Sequence, residues 1–151
     1  MLAFAHVFRR RTPLPRLPIL RSLLLAAPLL AAPAFAGEAS SYQLTIEAPK
    51  AKVGTPGQVS VVVKAGKGYH VNERYPTSLT ITPPPGVELP KPKLTAKDGA
   101  RIDAAQARFD VAYTATNAGA KVFKGVLKFA VCTDTTCDPH NEKISFTVDA
   151  K

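Results

Sequence analysis

The chain has 151 residues, 46% of them hydrophobic and 21% charged, with two cysteines, no tryptophan and a formal net charge of +9. Much of that charge sits at the start: residues 1–36 hold five arginines and no acid, leaving 15 basic against 11 acidic residues downstream. Such a balance lacks the focused basic stripe with stacking aromatics that nucleic-acid binding needs, so no nucleic-acid partner is expected.

Arg9 to Arg21 form a basic region, Ser22 to Phe35 a Leu/Ala-rich run, and Ala34-Phe35-Ala36 a small-x-small site. That order is the signature of a cleaved signal peptide over 1–36. The apolar run falls short of the roughly 20 residues of a membrane helix, and Pro28 and Pro33 break it further. The expected mature chain, 37–151, is therefore one periplasmic or secreted domain without a membrane span, in a compartment where disulfides persist.

From there the sequence reads as β. Tyr42, Leu44 and Ile46 alternate with Ser41, Gln43, Thr45 and Glu47, the period-two pattern of a half-buried strand over 41–48. The turn-forming VGTPGQ leads into the β-branched run QVSVVVKA at 58–65. GKG at 66–68 breaks that run, YHVNERYP follows, and SLTITPP at 78–84 is a short strand stopped by Pro83-Pro84-Pro85-Gly86. VELPKPKLT at 87–95 is extended but proline-interrupted, an edge or a connector. KDGA at 97–100 reads as a turn, and IDAAQARFD is the single place where a helical turn is expected. ARFDVAYTATN (107–117) and AKVFKGVLKFAVC (120–132) are expected to pair across the turn NAGA, with Lys121, Lys124 and Lys128 on the solvated side. KISFTVDA at 143–150 is the last strand. About seven short strands at regular spacing predict an all-β fold, an immunoglobulin-like antiparallel β-sandwich.

The chemistry gathers in FAVCTDTTCDPHNEKISF, residues 129–146. Val122, Val126 and Phe129 precede the polar loop, and Ile144, Phe146 and Val148 follow it, so the chain folds back there. Opposed residues at the base of a short hairpin meet the Cα separation of about 4.4–6.8 Å that a disulfide needs. Three readings of Cys132 and Cys137 are open. As a staple, a loop of about six residues gains only about 2 kcal/mol, against about 4.7 for a loop of 100. As a metal clip, Cys132, Cys137 and His140, with His70 in reach, would suit Cu(I) or Zn and a copper-handling protein. As a redox pair, the two would exchange electrons through a mixed disulfide. His140 is expected at the solvent, His70 on a strand beside the hairpin, and Tyr69 or Tyr75 over the disulfide. The other aromatics are expected in the core. An imidazolium near Cys137 would favour its thiolate, and Asp134 and Asp138 would oppose that. No nucleophile elbow, phosphate loop or HExxH motif supports hydrolase chemistry, and no cofactor is expected.

In order along the chain, GKGYHVN leading into LTITPPPGV, then RFDVAYTATN, then GVLKFAVCTDTTCDPHNEKISFTV, resemble the N-terminal periplasmic domain of the thiol–disulfide interchange protein DsbD. The resemblance spans Gly66 to Val148 and rests mostly on the two-cysteine hairpin. It implies an immunoglobulin-like fold with Cys132 and Cys137 as the catalytic redox pair. It implies electrons taken from a membrane-embedded or thioredoxin-like donor and passed to periplasmic disulfide proteins. This chain departs from the family in three places. Four residues separate the cysteines rather than five, AKDGARID lacks the aromatic of the family's cap loop, and Asp138-Pro139-His140 follows the second cysteine. The membrane and thioredoxin-like segments of full-length members have no counterpart in these 151 residues, so a separate electron donor and a monomeric chain are expected.

Overall fold

The computed structural model describes residues 40–151, and the leader expected over 1–36 lies outside the described residues. Ten strands follow in chain order: β1 (Tyr42–Glu47), β2 (Pro56–Ala65), β3 (His70–Val71), β4 (Ser78–Thr82), β5 (Val87–Glu88), β6 (Lys93–Thr95), β7 (Arg101–Ile102), β8 (Gln106–Ala115), β9 (Gly119–Cys132) and β10 (Cys137–Ala150). One sheet has the order β1-β2-β8-β5, with β7 also on β8; the other has β10-β9-β4-β6, with β3 also on β9. All these ladders are antiparallel. Among the longer strands, β1-β2-β8 opposes β10-β9-β4, which is the immunoglobulin arrangement. No helix among the described residues is long and apolar enough to cross a membrane.

Period-two alternation produces the layers. Val59, Val61 and Val63 of β2 and Phe109, Val111 and Tyr113 of β8 form one inner face. Phe123, Leu127, Phe129 and Val131 of β9, with Leu79 and Ile81 of β4, form the other. Tyr42, Leu44 and Ile46 of β1 close the side of this core, on the face that their alternation predicts. Beyond β1 the chain changes sheets: Ala51 bridges Ala150 in parallel. Its N–H donates to the Asp149 carbonyl at 2.9 Å, and the Lys151 N–H donates to the Ala51 carbonyl at 3.0 Å. The proline-interrupted stretch is a connector too, leaving β5 on one sheet and β6 on the other.

Three expectations are corrected here. The strands at 107–117 and 120–132 do not pair: β8 lies against β2, β5 and β7, while β9 lies against β10, β4 and β3. Residues 116–118 instead carry the chain from one sheet to the other. The turn is held by the Thr116 N–H donating to the Gly86 carbonyl at 2.9 Å and by Gly119 at φ 110°. IDAAQARFD forms no helical turn. Asp103 Oδ1 accepts the N–H groups of Ala105 and Gln106 at 2.8 and 2.9 Å, making a bend between β7 and β8. The one helical element among the described residues is a 3-10 turn, Ala96–Asp98. Finally, Lys121 is only 6% exposed. It shares strand parity with Phe123, so its stem faces inward and its Nζ donates to Asn117 Oδ1. Lys124 and Lys128, of the other parity, are exposed as expected.

Candidate functional site at the β9–β10 hairpin

The core fixes the register of this hairpin from below. Phe146 opposes Phe123, His140 opposes Phe129, and continuing the ladder brings Cys137 opposite Cys132. The four residues between them close a tight loop. The Thr133 N–H donates to the Thr136 carbonyl at 2.8 Å, and Thr133 Oγ1 accepts the Thr136 N–H at 3.1 Å. The cysteines are joined as a disulfide with Cα atoms 4.0 Å apart, closer than the range of about 4.4–6.8 Å expected for the pair. The two cysteines are not equivalent: Cys132 is only 3% exposed, whereas Cys137 is exposed.

β3 lies alongside, and His70 opposes Cys132 across the ladder. Opposed residues share a face, so His70, Cys132 and Cys137 form a row on the outer side of the sheet. Asn72 follows β3. Its N–H donates to the Ala130 carbonyl at 2.9 Å, its Oδ1 accepts the Arg74 N–H at 3.0 Å, and its Nδ2 donates to Cys137 Sγ at 3.8 Å. An open depression of about 390 Å³ runs along this side, lined by His70, Val71, Asn72, Glu73, Arg74 and Ala104.

An aromatic cluster supports the hairpin from its inner face. The His140 ring stacks on Phe129 with centroids 5.0 Å apart. Tyr42 meets both edge-on, at 4.6 Å from His140 and 4.8 Å from Phe129. The Tyr42 hydroxyl donates to Glu142 Oε1 at 2.8 Å, tying the edge of one sheet to the edge of the other. Burial, the hydrogen bond to Glu142 and the negative charges of Glu142 and Asp138 raise its ionisation above the usual tyrosine range.

These placements change several readings. His140 is not at the solvent: its side chain is 16% exposed, because it shares inward parity with Ile144 and Phe146. Its Nε2 lies 3.2 Å from Asp138 Oδ2 but makes no aligned hydrogen bond. The suggested ligand set Cys132, Cys137 and His140 is not brought together, since both sulfurs occupy the outer face and the imidazole the inner one. Among the described residues no group of three or more His, Cys, Asp or Glu side chains is placed to hold a metal ion. Tyr69 packs against the core rather than over the disulfide. Tyr75 lines a different depression, with Pro76, Lys93 and Ile102. His70 does lie on a strand beside the hairpin. Asp98 and Arg101 are structural: Asp98 accepts from Thr95 Oγ1 at 2.7 Å, and Arg101 pairs with Asp110 at 2.7 Å.

Two features are not evident in the sequence. One is Asn72, whose approach to Cys137 spans 65 positions. The other is a polar network on the outer face of the first sheet. There Asp110 accepts from Ser60 at 2.7 Å and from Arg108 Nε at 3.0 Å.

No family model matches the chain, and no curated protein sequence matches it. Among solved structures it is similar to AggA, the major subunit of aggregative adherence fimbriae type I from Escherichia coli. The identity is 10%, the match covers 75% of this chain and 97% of that one, and the TM-score is 0.37. A likeness that distant informs neither the fold nor the site.

Proposed function

We propose that this chain is an exported thiol–disulfide exchange module. It passes reducing equivalents through Cys132 and Cys137 to thioredoxin-like and other disulfide proteins of the periplasm or extracellular space. The observation that carries the reading is the position of the bond. It joins residues that the β9–β10 ladder already opposes, and one of the two, Cys137, is exposed. The resemblance of Gly66–Val148 to the DsbD N-terminal domain supports the same reading.

The chemistry needs only the two sulfurs. A thiolate of a partner dithiol attacks Cys137 Sγ, the Cys132–Cys137 bond breaks, and Cys132 leaves as a thiolate. The partner's second thiolate then attacks its own sulfur in the mixed disulfide and releases Cys137. The partner is oxidised to a disulfide, the module is reduced by two electrons, and the thiolates are protonated by water. Delivery to an acceptor disulfide runs the same steps in reverse, with Cys137 attacking and Cys132 resolving. The donor is a dithiol of a membrane-embedded or thioredoxin-like partner.

The test is the reduction potential of the pair, by equilibration with defined thiol buffers and alkylation trapping. A value between roughly −180 and −270 mV would place it among exchange proteins. A value well below about −300 mV would mark a structural bond, and the chain would then be a binding or scaffold domain.

A further inference from the structure

We infer that Asn72 is the residue that stabilises the thiolate of Cys137, and so makes the exposed cysteine the working nucleophile. This rests on the exchange reading and adds the group that tunes it. An amide can turn either its oxygen or its nitrogen toward a neighbour, and only the nitrogen helps an anion. Here the choice is fixed. Asn72 Oδ1 is occupied by the Arg74 N–H at 3.0 Å, so Nδ2 is the end that meets Cys137 Sγ, at 3.8 Å. The backbone beneath is anchored as well, because the Asn72 N–H donates to the Ala130 carbonyl at 2.9 Å. In the disulfide, sulfur is a weak acceptor and the contact contributes little. Once Cys137 is released as a thiolate, the same N–H meets a full negative charge, and a hydrogen bond to an ionised group is about twice as strong as a neutral one.

The other charged or titratable groups nearby do not supply this help to Cys137. Asp134 and Asp138 on the hairpin oppose an anion. His70 opposes Cys132, the buried sulfur, rather than Cys137. Glu73 and Arg74, of opposite charge, line the depression with Asn72, and neither makes a hydrogen bond or ion pair with the hairpin. His140 and Glu142 lie on the inner face of β10. Asn72 is half-buried but is no part of the hydrophobic core, so replacing it leaves the core intact.

The experiment uses the protein with Cys132→Ser, which leaves Cys137 as the single thiol, and follows thiolate formation by ultraviolet absorbance across pH. Asn72→Ala is expected to lower the thiolate fraction at pH 7 about three- to tenfold, less than a full hydrogen bond to a charged group because the 3.8 Å contact is open to water. Asn72→Asp is expected to lower it further, because a carboxylate replaces the donor. Alkylation should slow by a smaller factor, since a more basic thiolate is the better nucleophile. In the two-cysteine protein, Asn72→Ala should move the reduction potential to a more negative value, because the reduced form loses its stabilisation. An unmoved titration in both Asn72 variants would overturn the assignment, as would a titration that moves with His70→Ala instead. The two readings fail separately. A potential below about −300 mV with a titration that still follows Asn72 removes the exchange function and keeps the assignment. A potential in the exchange range with an unmoved titration does the reverse.

Discussion

Breaking the Cys132–Cys137 bond should cost the fold about 2 kcal/mol and no more. The magnitude follows from the loop the bond closes: a ring of about six residues removes little entropy from the unfolded chain. The folded state loses little besides, because β9 and β10 are paired from Cys137–Cys132 down to Ala150–Gly119 without the bond. A thermodynamic cycle turns the same number into a redox statement. What the bond contributes to folding, folding contributes to the bond, so about 2 kcal/mol makes the folded pair harder to reduce than the unfolded one by about 45 mV. The assay is urea unfolding of the oxidised protein, the reduced protein and the Cys132→Ala/Cys137→Ala double variant. Midpoints should shift modestly at similar m-values, meaning the same cooperative unit unfolds in each. A loss above about 4 kcal/mol, or unfolding on reduction, would refute the reasoning. It would make the disulfide a structural requirement, which an exchange module cannot have, since it must stay folded in both oxidation states.

Three further outcomes are expected, each read by chemical denaturation. At Gly125, a Cβ would lie 2.7 Å from Ile81 Cδ1 and 2.8 Å from the Thr80 carbonyl oxygen. The carbonyl cannot move aside, so Gly125→Ala should lose about 1 to 2 kcal/mol, the overpacking cost less the gain from removing a strand glycine; an unchanged midpoint would mean that β4 shifts freely. The Tyr113 hydroxyl is buried without a hydrogen-bond partner, so Tyr113→Phe should raise stability by about 1 kcal/mol, and a fall of that size would disclose an unseen partner. Burial acts to raise the ionisation of Asp110, but its hydrogen bond from Ser60 and its pairing with Arg101 and Arg108 outweigh this and hold it below the usual 3.8. A carboxylate so depressed contributes stability above its unfolded value and loses it as pH falls through the folded one. Asp110→Asn should therefore flatten the loss of stability below about pH 4, by under 1 kcal/mol given solvent screening.

Much of the sandwich was legible because alternation is a local signal. Tyr42, Leu44 and Ile46 face the core as their spacing predicts, and the apolar residues on either side of the cysteines fold back into one hairpin. The same rule, applied residue by residue, also reaches two corrected positions. Lys121 shares parity with Phe123, and His140 shares it with Ile144 and Phe146; each follows its strand rather than its polarity. The pairing of β8 was not legible in this way. NAGA serves a hairpin and a crossing between sheets equally well, and only the distant strands that occupy both edges of β8 decide between them. At the site, the cysteine pair announces itself by spacing. Asn72 does not, because its place depends on a two-residue strand, His70–Val71, docking on β9 in one register.

The hairpin is fixed from its inner end, where Phe123 opposes Phe146 and Phe129 opposes His140. Thr133 to Thr136 lie beyond the last paired residues, and nothing in the core depends on them. The tip is therefore free to change length without displacing the sulfurs or turning any strand over. Loop sequences could be exchanged there as interchangeable parts while the disulfide beneath keeps its place.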